Sequence, residues 1–283
     1  MPGSLFLVAT PIGNLEDITL RALRVLKDVD LIAAEDTRRT AHLLGHYGIA
    51  TRTTSLHEHN ERDRVPGLIQ QVRDGLRLAV VTDAGMPGIS DPGFLIVRAA
   101  LEAGIEVTVI PGASALTLAV AGSGLPADMF SFLGFAPSRT GQRRSWLRQR
   151  LSTVPGTVVL YEAPGRLQAL MIDILEVVGD RYIVVAHELT KVHESWHRGW
   201  VSELVEPAAD LPSKGEFVVL VSRDERKQVR AAPSEELVAG RFRDLSADPS
   251  LSRRQVIEQV ATEWAISKRD VYSMIERAKN SGK

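Results

Sequence analysis

The sequence has 283 residues, 44% of them hydrophobic and 24% charged, with a formal net charge of −1, so it is a globular chain long enough for two compact domains. So small a net charge sets up no bulk field for nucleic acid, and any such binding has to come from a local patch. Cysteine is absent, which excludes disulfides, thiolate zinc sites and cysteine nucleophiles and fits a reducing compartment.

The start, Met1 to Leu5, lacks the basic region of a signal peptide. No apolar run approaches the roughly 20 residues that span a bilayer. A cytoplasmic protein with no membrane partner is expected. Leu5–Ala9 reads as a buried strand, as do Leu31–Ala34, Leu78–Thr82 and Val107–Ile110. Helical patterns cover Thr19–Asp28, Thr37–Tyr47, Arg62–Asp74 and Asp91–Ala103. Short apolar strands separated by helices predict a mostly parallel sheet covered on both faces. The apolar helix Ala113–Ala121 is followed by the breaker cluster Gly122-Ser123-Gly124-Leu125-Pro126, so residues 1–124 read as an N-terminal α/β domain.

Further strands are expected near Met129–Leu133, Thr157–Tyr161, Tyr182–His187, Glu194–Ser202 and Glu216–Val221. Between them, Leu167, Leu170, Met171, Ile174, Leu175 and Val178 give a helix over Arg166–Val178 one apolar face. Two strands in succession, near 182–188 and 194–202, imply an antiparallel hairpin, so residues 125–223 read as a second α/β domain with a mixed sheet. Arg223–Arg230 reads as a linker. Residues 224–283 read as a small helical extension, with Ser252 and Ser267 as N-caps. From Arg223 onward it is mildly basic, 13 Lys and Arg against 10 Asp and Glu.

In open parallel sheets, ligands sit beyond the carboxyl ends of the strands. Three glycine–proline loops fall there: Ala9-Thr10-Pro11-Ile12-Gly13-Asn14-Leu15, the run from Asp83 to Gly93, and Pro111-Gly112-Ala113-Ser114-Ala115. Each alone is an ordinary turn; together they predict a rigid cleft lined by backbone. Glu35 lies where a ribose-binding acid of a dinucleotide fold would, yet there is no G-x-G-x-x-G after the first strand and no Walker A sequence anywhere. A cofactor without phosphate fits better, and S-adenosylmethionine is one.

Four motifs then carry a resemblance: Ala9-Thr-Pro-Ile-Gly-Asn-Leu-Glu-Asp-Ile-Thr19, Ala34-Glu-Asp-Thr-Arg38, Thr82-Asp-Ala-Gly-Met-Pro-Gly-Ile-Ser-Asp-Pro-Gly93 and Ile110-Pro-Gly-Ala-Ser-Ala115. With Gly134-Phe135, Tyr161-Glu162, Glu188-Leu-Thr-Lys191 and Lys214-Gly-Glu-Phe217, the chain resembles the ribosomal RNA small subunit methyltransferase I family of the tetrapyrrole methylase superfamily. The resemblance implies two α/β domains with the cofactor cleft between them. It also implies a homodimer that uses S-adenosylmethionine to 2′-O-methylate a cytidine ribose of small-subunit ribosomal RNA in the decoding region. Where that family commonly has a histidine after Tyr-Glu-Ser-Pro, this chain has Ala163-Pro164-Gly165.

On the strand-end rule and the resemblance together, the cofactor wall comprises Asp83, Ala84, Gly85, Met86, Pro87, Ile89, Ser90, Pro111, Gly112, Ala113, Ser114 and Ala115, with Pro11 on the opposite lip. Attack by a ribose hydroxyl makes a general base plausible, and Glu35, Lys191 and Glu188 are the candidates; the lysine either serves as base with its pKa lowered by desolvation or stabilises the developing oxyanion. Asp36 or Thr37 caps a helix, and Arg38 either shares that structural role or grips an RNA phosphate. Ser138–Arg150 carries Arg139, Arg143, Arg144, Arg148 and Arg150 with no acid, which reads as a phosphate clamp rather than a solvated face. Trp146, among them, either stacks on a base or packs in the core. The pairs His57/His59 and His193/His197 complete no metal-ligand set, so no metal is expected. Two other readings stay open: a methylase of the same superfamily acting on a tetrapyrrole precursor, and a non-catalytic ribosome-assembly factor.

Overall fold

The structure, a computed structural model, describes residues 3–163, 165–206, 211–225, 235–248, 251–264 and 267–281. The chain divides into two compact units, Met1–Arg226 and Lys227–Lys283.

The first unit opens with β1 (Ser4–Val8), α1 (Leu20–Asp28), β2 (Leu31–Ala34), α2 (Thr37–His46) and β3 (Thr53–Ser55). It continues through α3 (Glu61–Arg73), β4 (Arg77–Val81), α4 (Phe94–Glu102), β5 (Glu106–Ile110) and α5 (Ala115–Ser123). The five strands pair in parallel in the order β3-β2-β4-β1-β5. Continuous apolar strands are what a sheet buried on both faces requires. Leu5, Leu7, Leu78 and Val80 pack to one side with Val65, Leu68 and Val72 of α3 and Ile96 and Ala100 of α4. Val8, Ile32, Ala79 and Val81 pack to the other with Ala22 and Leu26 of α1 and Leu44 of α2. Each fully buried leucine contributes roughly 1.5–3 kcal/mol. Helix starts are set by short polar side chains: Thr19 Oγ1 accepts from Ala22 N at 3.1 Å and Asp36 Oδ1 from Arg38 N at 2.8 Å. Of the two cap candidates for α2, Asp36 is the one.

The second half runs β6 (Phe130–Phe135), α6 (Thr140–Thr153), β7 (Thr157–Glu162) and α7 (Leu167–Val178), then β8 (Arg181–His187), β9 (Ser195–Trp200), α8 (Val201–Leu204) and β10 (Phe217–Glu225). Its sheet is mixed, in the order β6-β7-β10-β8-β9, with β6 and β7 parallel and the other pairs antiparallel. The expected hairpin is β8–β9. Helix α5 packs on β8 and β10, and its Ala119 and Val120 share a core with Ile12, Leu189, Val218 and Leu220. That core ties the loops of the first sheet to the second sheet.

Three differences from the sequence reading have local causes. Strand β3 is three residues of Thr and Ser, too short and too polar to show a period. The strand expected through Ser202 stops at Trp200, because Val201 buries its side chain as the first residue of α8. Strand β10 continues to Glu225, with Glu225 opposite Arg181 across a register shift, so Arg223 belongs to a strand rather than to a linker. The rest of that expected linker, residues 226–230, lies outside the described residues.

The second unit is α9 (Glu235–Ser246), α10 (Arg253–Trp264) and α11 (Lys268–Ser281) around Val238, Val256, Val260, Val271 and Ile275. Ser252 Oγ accepts from Gln255 N at 3.4 Å while Gln255 Oε1 accepts from Ser252 N at 2.9 Å, a reciprocal cap. Ser267 Oγ accepts from Asp270 N at 3.0 Å at the head of α11. Among the described residues, no helix is long and apolar enough to cross a membrane.

Candidate active site

The strand order sets the site. Strands β4, β1 and β5 are neighbours, so the three glycine–proline loops that follow them emerge side by side, and the Glu35–Arg38 segment after β2 lies next to the β4 loop. Thr10 and Gly85 exchange backbone hydrogen bonds of 2.9 and 3.1 Å, zipping the β1 and β4 loops together. Gly85 holds φ +82°, a region that favours glycine. Thr10 Oγ1 donates to Thr82 O at 3.0 Å beneath that join. The β2 and β4 loops are cross-linked in turn: Asp83 N donates to Glu35 Oε2 at 3.2 Å, Asp36 N to Asp83 Oδ1 at 3.0 Å, and Arg39 pairs with Asp83 at 3.3 Å.

Two cavities open on this framework. The first, about 310 Å3, lies between the β1, β4 and β5 loops and the second sheet. Of the expected cofactor wall, Ala84, Gly85, Met86, Ile89, Ser90, Ser114 and Ala115 line it; Ile12 joins them from the β1 loop. From the second sheet come Tyr161 and Glu162 of β7, Phe217 and Val218 of β10, and Phe135, Leu189 and Glu216. Asp91 completes the wall. Asp83 and Pro11 line the second cavity instead, about 300 Å3, with Arg39, His42 and Lys191. Pro87, Pro111, Gly112 and Ala113 line neither and act as loop supports. A Cβ on Gly112 would stand 2.8 Å from Ala9 Cβ, so the bare glycine lets the β5 loop close onto β1. Ile12, Ala84 and Glu216 border both cavities.

The side chains contributed from the second-sheet side, together with Ile12 and Asp91 from the loops of the first, are those the sequence reading missed as site residues. Tyr161, Glu162 and Phe217 sit in β-strands buried on both faces, so their sequence reads as core, and only a second sheet facing the first turns part of that core into a wall. Tyr161 packs edge-on against Phe132 and Phe135, with ring centres 4.7 and 5.7 Å apart; burial pushes its phenol up. Burial likewise raises Glu162, whose Oε1 accepts from Ala163 N at 2.8 Å and pairs with Arg166 at 3.0 Å. Its buried Oε2 has no hydrogen-bond partner among the described residues.

The three expected bases differ in environment. Burial raises Glu35 above the ordinary carboxylate value, the Asp83 amide opposing it and the Asp83 charge adding to it. Lys191 Nζ donates to Glu188 Oε1 at 2.9 Å and Glu216 Oε2 at 3.1 Å. Burial works against its charge, but the two carboxylates outweigh that and hold Lys191 above the ordinary lysine value. Glu188 is lowered, since the Glu216 amide and Lys191 together overcome its burial. Lys191 is thus paired with two carboxylates, Glu188 and Glu216. Backbone strain concentrates here: among the described residues, the non-glycine positive φ angles are those of Ser90 (63°), Glu188 (51°) and Thr190 (66°).

The arginine run divides. Arg143, expected as a phosphate clamp, is corrected by the structure: its side chain is 5% exposed and its guanidinium pairs with the buried Asp173 of α7 at 2.6 Å. Arg144 pairs with Asp173 and with Glu176. Arg143, buried against Asp173 and the Ser138 carbonyl, is not available to phosphate, whereas Arg144 is 40% exposed and shared between two carboxylates. Arg139, Arg148 and Arg150 are exposed. Trp146 packs against the core of the second sheet. Arg38 is 89% exposed and turned back on Asp36, with bonds of 3.1 and 2.7 Å; it holds Asp36 well below the usual carboxylate range. Among the described residues, no group of three or more His, Asp and Glu is placed to hold a metal ion.

A family model described as Tetrapyrrole (Corrin/Porphyrin) Methylases matches residues 4–205. The Ribosomal RNA small subunit methyltransferase I of Halalkalibacterium halodurans is 42% identical over 273 residues, 96% of this chain and 94% of that one. The protein of the same description from Thermotoga maritima is 46% identical over 223 residues, which cover 79% of this chain and 100% of the relative. Among solved structures, Uroporphyrin-III C-methyl transferase from Thermus thermophilus complexed with S-adenyl homocysteine superposes with a TM-score of 0.56 at 19% identity, covering 78% of this chain and 98% of that one. Diphthine synthase superposes with a TM-score of 0.63 at 15% identity, covering 79% and 92%. At those identities the structures speak for the fold alone.

Proposed function

We infer the activity from the premise that this chain belongs to the tetrapyrrole (corrin/porphyrin) methylase family and, within it, to the ribosomal RNA small subunit methyltransferase I proteins. It is an S-adenosylmethionine-dependent methyltransferase acting on small-subunit ribosomal RNA. The finer reading is transfer to the 2′-hydroxyl of a cytidine ribose in the decoding region. That finer reading rests on the resemblance; the observation that carries the cofactor reading is the first cavity, whose charged lining residues, Asp91, Glu162 and Glu216, are all acidic. A wall without Lys or Arg repels a phosphate-bearing cofactor and suits one with a net positive charge.

S-adenosylmethionine supplies an electrophilic methyl group on its sulfonium. The protein's work is alignment, which can supply roughly 7–11 kcal/mol. The first cavity takes the cofactor, with Ser114, Ala115 and the Gly85 backbone on one side and Tyr161 and Val218 on the other. The second, with Arg39, His42 and Lys191 in its wall, takes the target nucleoside. Lys191, held charged by Glu188 and Glu216, stabilises the negative charge that develops on the attacking oxygen. Glu35, the most basic of the nearby carboxylates proposed for this step, accepts the hydroxyl proton. Arg139, Arg148 and Arg150 guide RNA phosphates; Arg148 and Arg150 lie nine and eleven residues along from Arg139, on the order of 15 Å in a helix.

The chain works as a homodimer in the cytoplasm. Strand β5 ends the first sheet with Val109 51% exposed, and Leu20, Phe94 and Leu101 are exposed as well, apolar surface suited to a second copy. Light scattering on the purified protein measures the copy number. The activity is tested by transfer of labelled methyl from S-adenosylmethionine to unmodified small ribosomal subunits, with deproteinised ribosomal RNA and a tetrapyrrole precursor in parallel. Label on one cytidine ribose is expected. Label on the tetrapyrrole instead of RNA would overturn the assignment.

A further inference from the structure

Asp91 stands apart from the other acids of the cleft. Glu216 is bonded to Lys191, Asp83 to Arg39, Glu162 to Arg166, and Glu35 accepts a backbone amide. Asp91 has no hydrogen bond or ion pair among the described residues, yet it is half-buried in the wall of the first cavity. Its loop is held rigidly. Ser90 before it is strained at φ +63°, and Gly88 N donates to Pro92 O at 3.0 Å across it. The buried carboxylate of Glu61 in α3 accepts from Gly93 N at 3.0 Å and Leu95 N at 3.2 Å, capping α4 from outside and fixing the loop's far end. A carboxylate held in place without a partner is a site prepared for a cation.

Its position within the cleft narrows the cation. The groups that raise Asp91 by their charge, beyond the effect of burial, are Glu35, Asp83 and Glu216. Asp83 lines the second cavity and Glu216 lines both. Asp91 therefore lines the first cavity within electrostatic reach of Glu216, which borders both cavities, and of Asp83 in the second, the region a transferred methyl group has to cross. Resting on the cofactor reading above, we propose that Asp91 is the counter-charge for the sulfonium of S-adenosylmethionine, and so the residue by which the cleft distinguishes the cofactor from its uncharged thioether product.

The groups facing Asp91 give the proposal a pH signature. Burial, then Glu35, Asp83 and Glu216, push Asp91 up to about 7. Tyr161 faces it as a neutral phenol, and Lys191 and Arg39 are engaged by Glu216 and Asp83. Below that value Asp91 is protonated and offers the sulfonium nothing; above it, the carboxylate attracts the cofactor and not the product. Once the methyl group has left, the positive charge is gone and Asp91 again faces only like charges, which favours product release.

The test is isothermal titration of the full-length protein with S-adenosylmethionine and with S-adenosylhomocysteine at pH 6.0 and 8.0, for wild type and Asp91→Asn. Both ligands carry the same adenosine and amino-acid ends, so the ratio of their Kd values isolates the sulfonium. The expected preference for S-adenosylmethionine grows about tenfold from pH 6.0 to 8.0 in wild type, the equivalent of one pKa unit of differential interaction. In Asp91→Asn it is flat with pH and about tenfold weaker at pH 8.0. A ratio that ignores both pH and the substitution overturns the proposal. Should Asp91→Asn fail to fold by circular dichroism, the wild-type pH dependence alone decides. Wild type that binds neither ligand would refute the cofactor reading itself, a different failure from an unchanging ratio.

Discussion

Asp173→Ala tests whether the arginine run of α6 is a structural device or an RNA clamp. Asp173 is 2% exposed and accepts from Arg143 on one carboxylate oxygen and from Arg144 on the other, both at 2.6 Å. Removing it leaves Arg143, 5% exposed, with the Ser138 carbonyl at 3.0 Å. An uncompensated buried charge costs about 3–5 kcal/mol. For a unit of this size, at about 2–4 °C per kcal/mol, the melting temperature falls by about 10 °C. Urea unfolding followed by tryptophan fluorescence, with Trp146 packed in the same core, measures the loss as a lower midpoint at constant slope. Asp173→Asn, which keeps one acceptor oxygen, is expected to lose less. A loss below about 1 kcal/mol, the range of an exposed pair, would refute the assignment of Arg143 to the core and return it to the surface.

Glu35→Gln is expected to slow methyl transfer about 10^2- to 10^4-fold, the usual contribution of a general base. Because burial raises Glu35 in the folded state, its ionisation works against folding as pH rises above the ordinary 4.5, so Glu35→Gln gains stability relative to wild type as pH rises from 4.5 through the folded-state value; equal melting temperatures throughout would contradict this. A Cβ on Gly13 would lie 2.5 Å from Lys191 Cγ and 2.7 Å from Thr190 Oγ1. Gly13→Ala therefore displaces Lys191 and lowers the single-turnover rate about 10^2-fold, and an unchanged rate would show that Lys191 has no part in the chemistry. The double change Arg148→Ala, Arg150→Ala is expected to leave the melting temperature alone and weaken RNA binding, with a salt dependence shallower by about 2, one per phosphate contact. Filter binding at several salt concentrations reads both quantities.

The first sheet was legible because its strands are short, apolar and followed by breakers, a pattern that a parallel sheet buried on both faces imposes directly. Even there β3 escaped notice, since Thr53–Ser55 borrows its conformation from pairing with β2 rather than from its own sequence. The loops that line the two cavities were legible as glycine–proline runs, but their division was not: Asp83 and Pro11 line one cavity and Gly85 and Ser114 the other, a matter of local geometry that spacing does not encode. The arginine run misled because its acid lies elsewhere in the chain, about thirty residues on. Asp173 interrupts the apolar face of α7 between Leu170 and Ile174. A lone carboxylate in such a stripe was the available signal that some distant cation is buried with it. Asp91 gave no sign of its isolation in sequence, because a missing partner is visible only once every neighbour has been placed.

Ser90, Glu188 and Thr190 bear on how far this protein can be improved. Each occupies a backbone region where an L-residue costs about 1–3 kcal/mol and glycine almost nothing. A lineage bred only for heat resistance is drawn to glycine at all three positions, because nowhere else in the described chain is the same relief on offer. Those substitutions would loosen the turns that aim Asp91 and Lys191. Selection for durability and selection for turnover therefore pull these codons in opposite directions, and an engineer who wants a hardier catalyst does better to work on the far sides of the sheets.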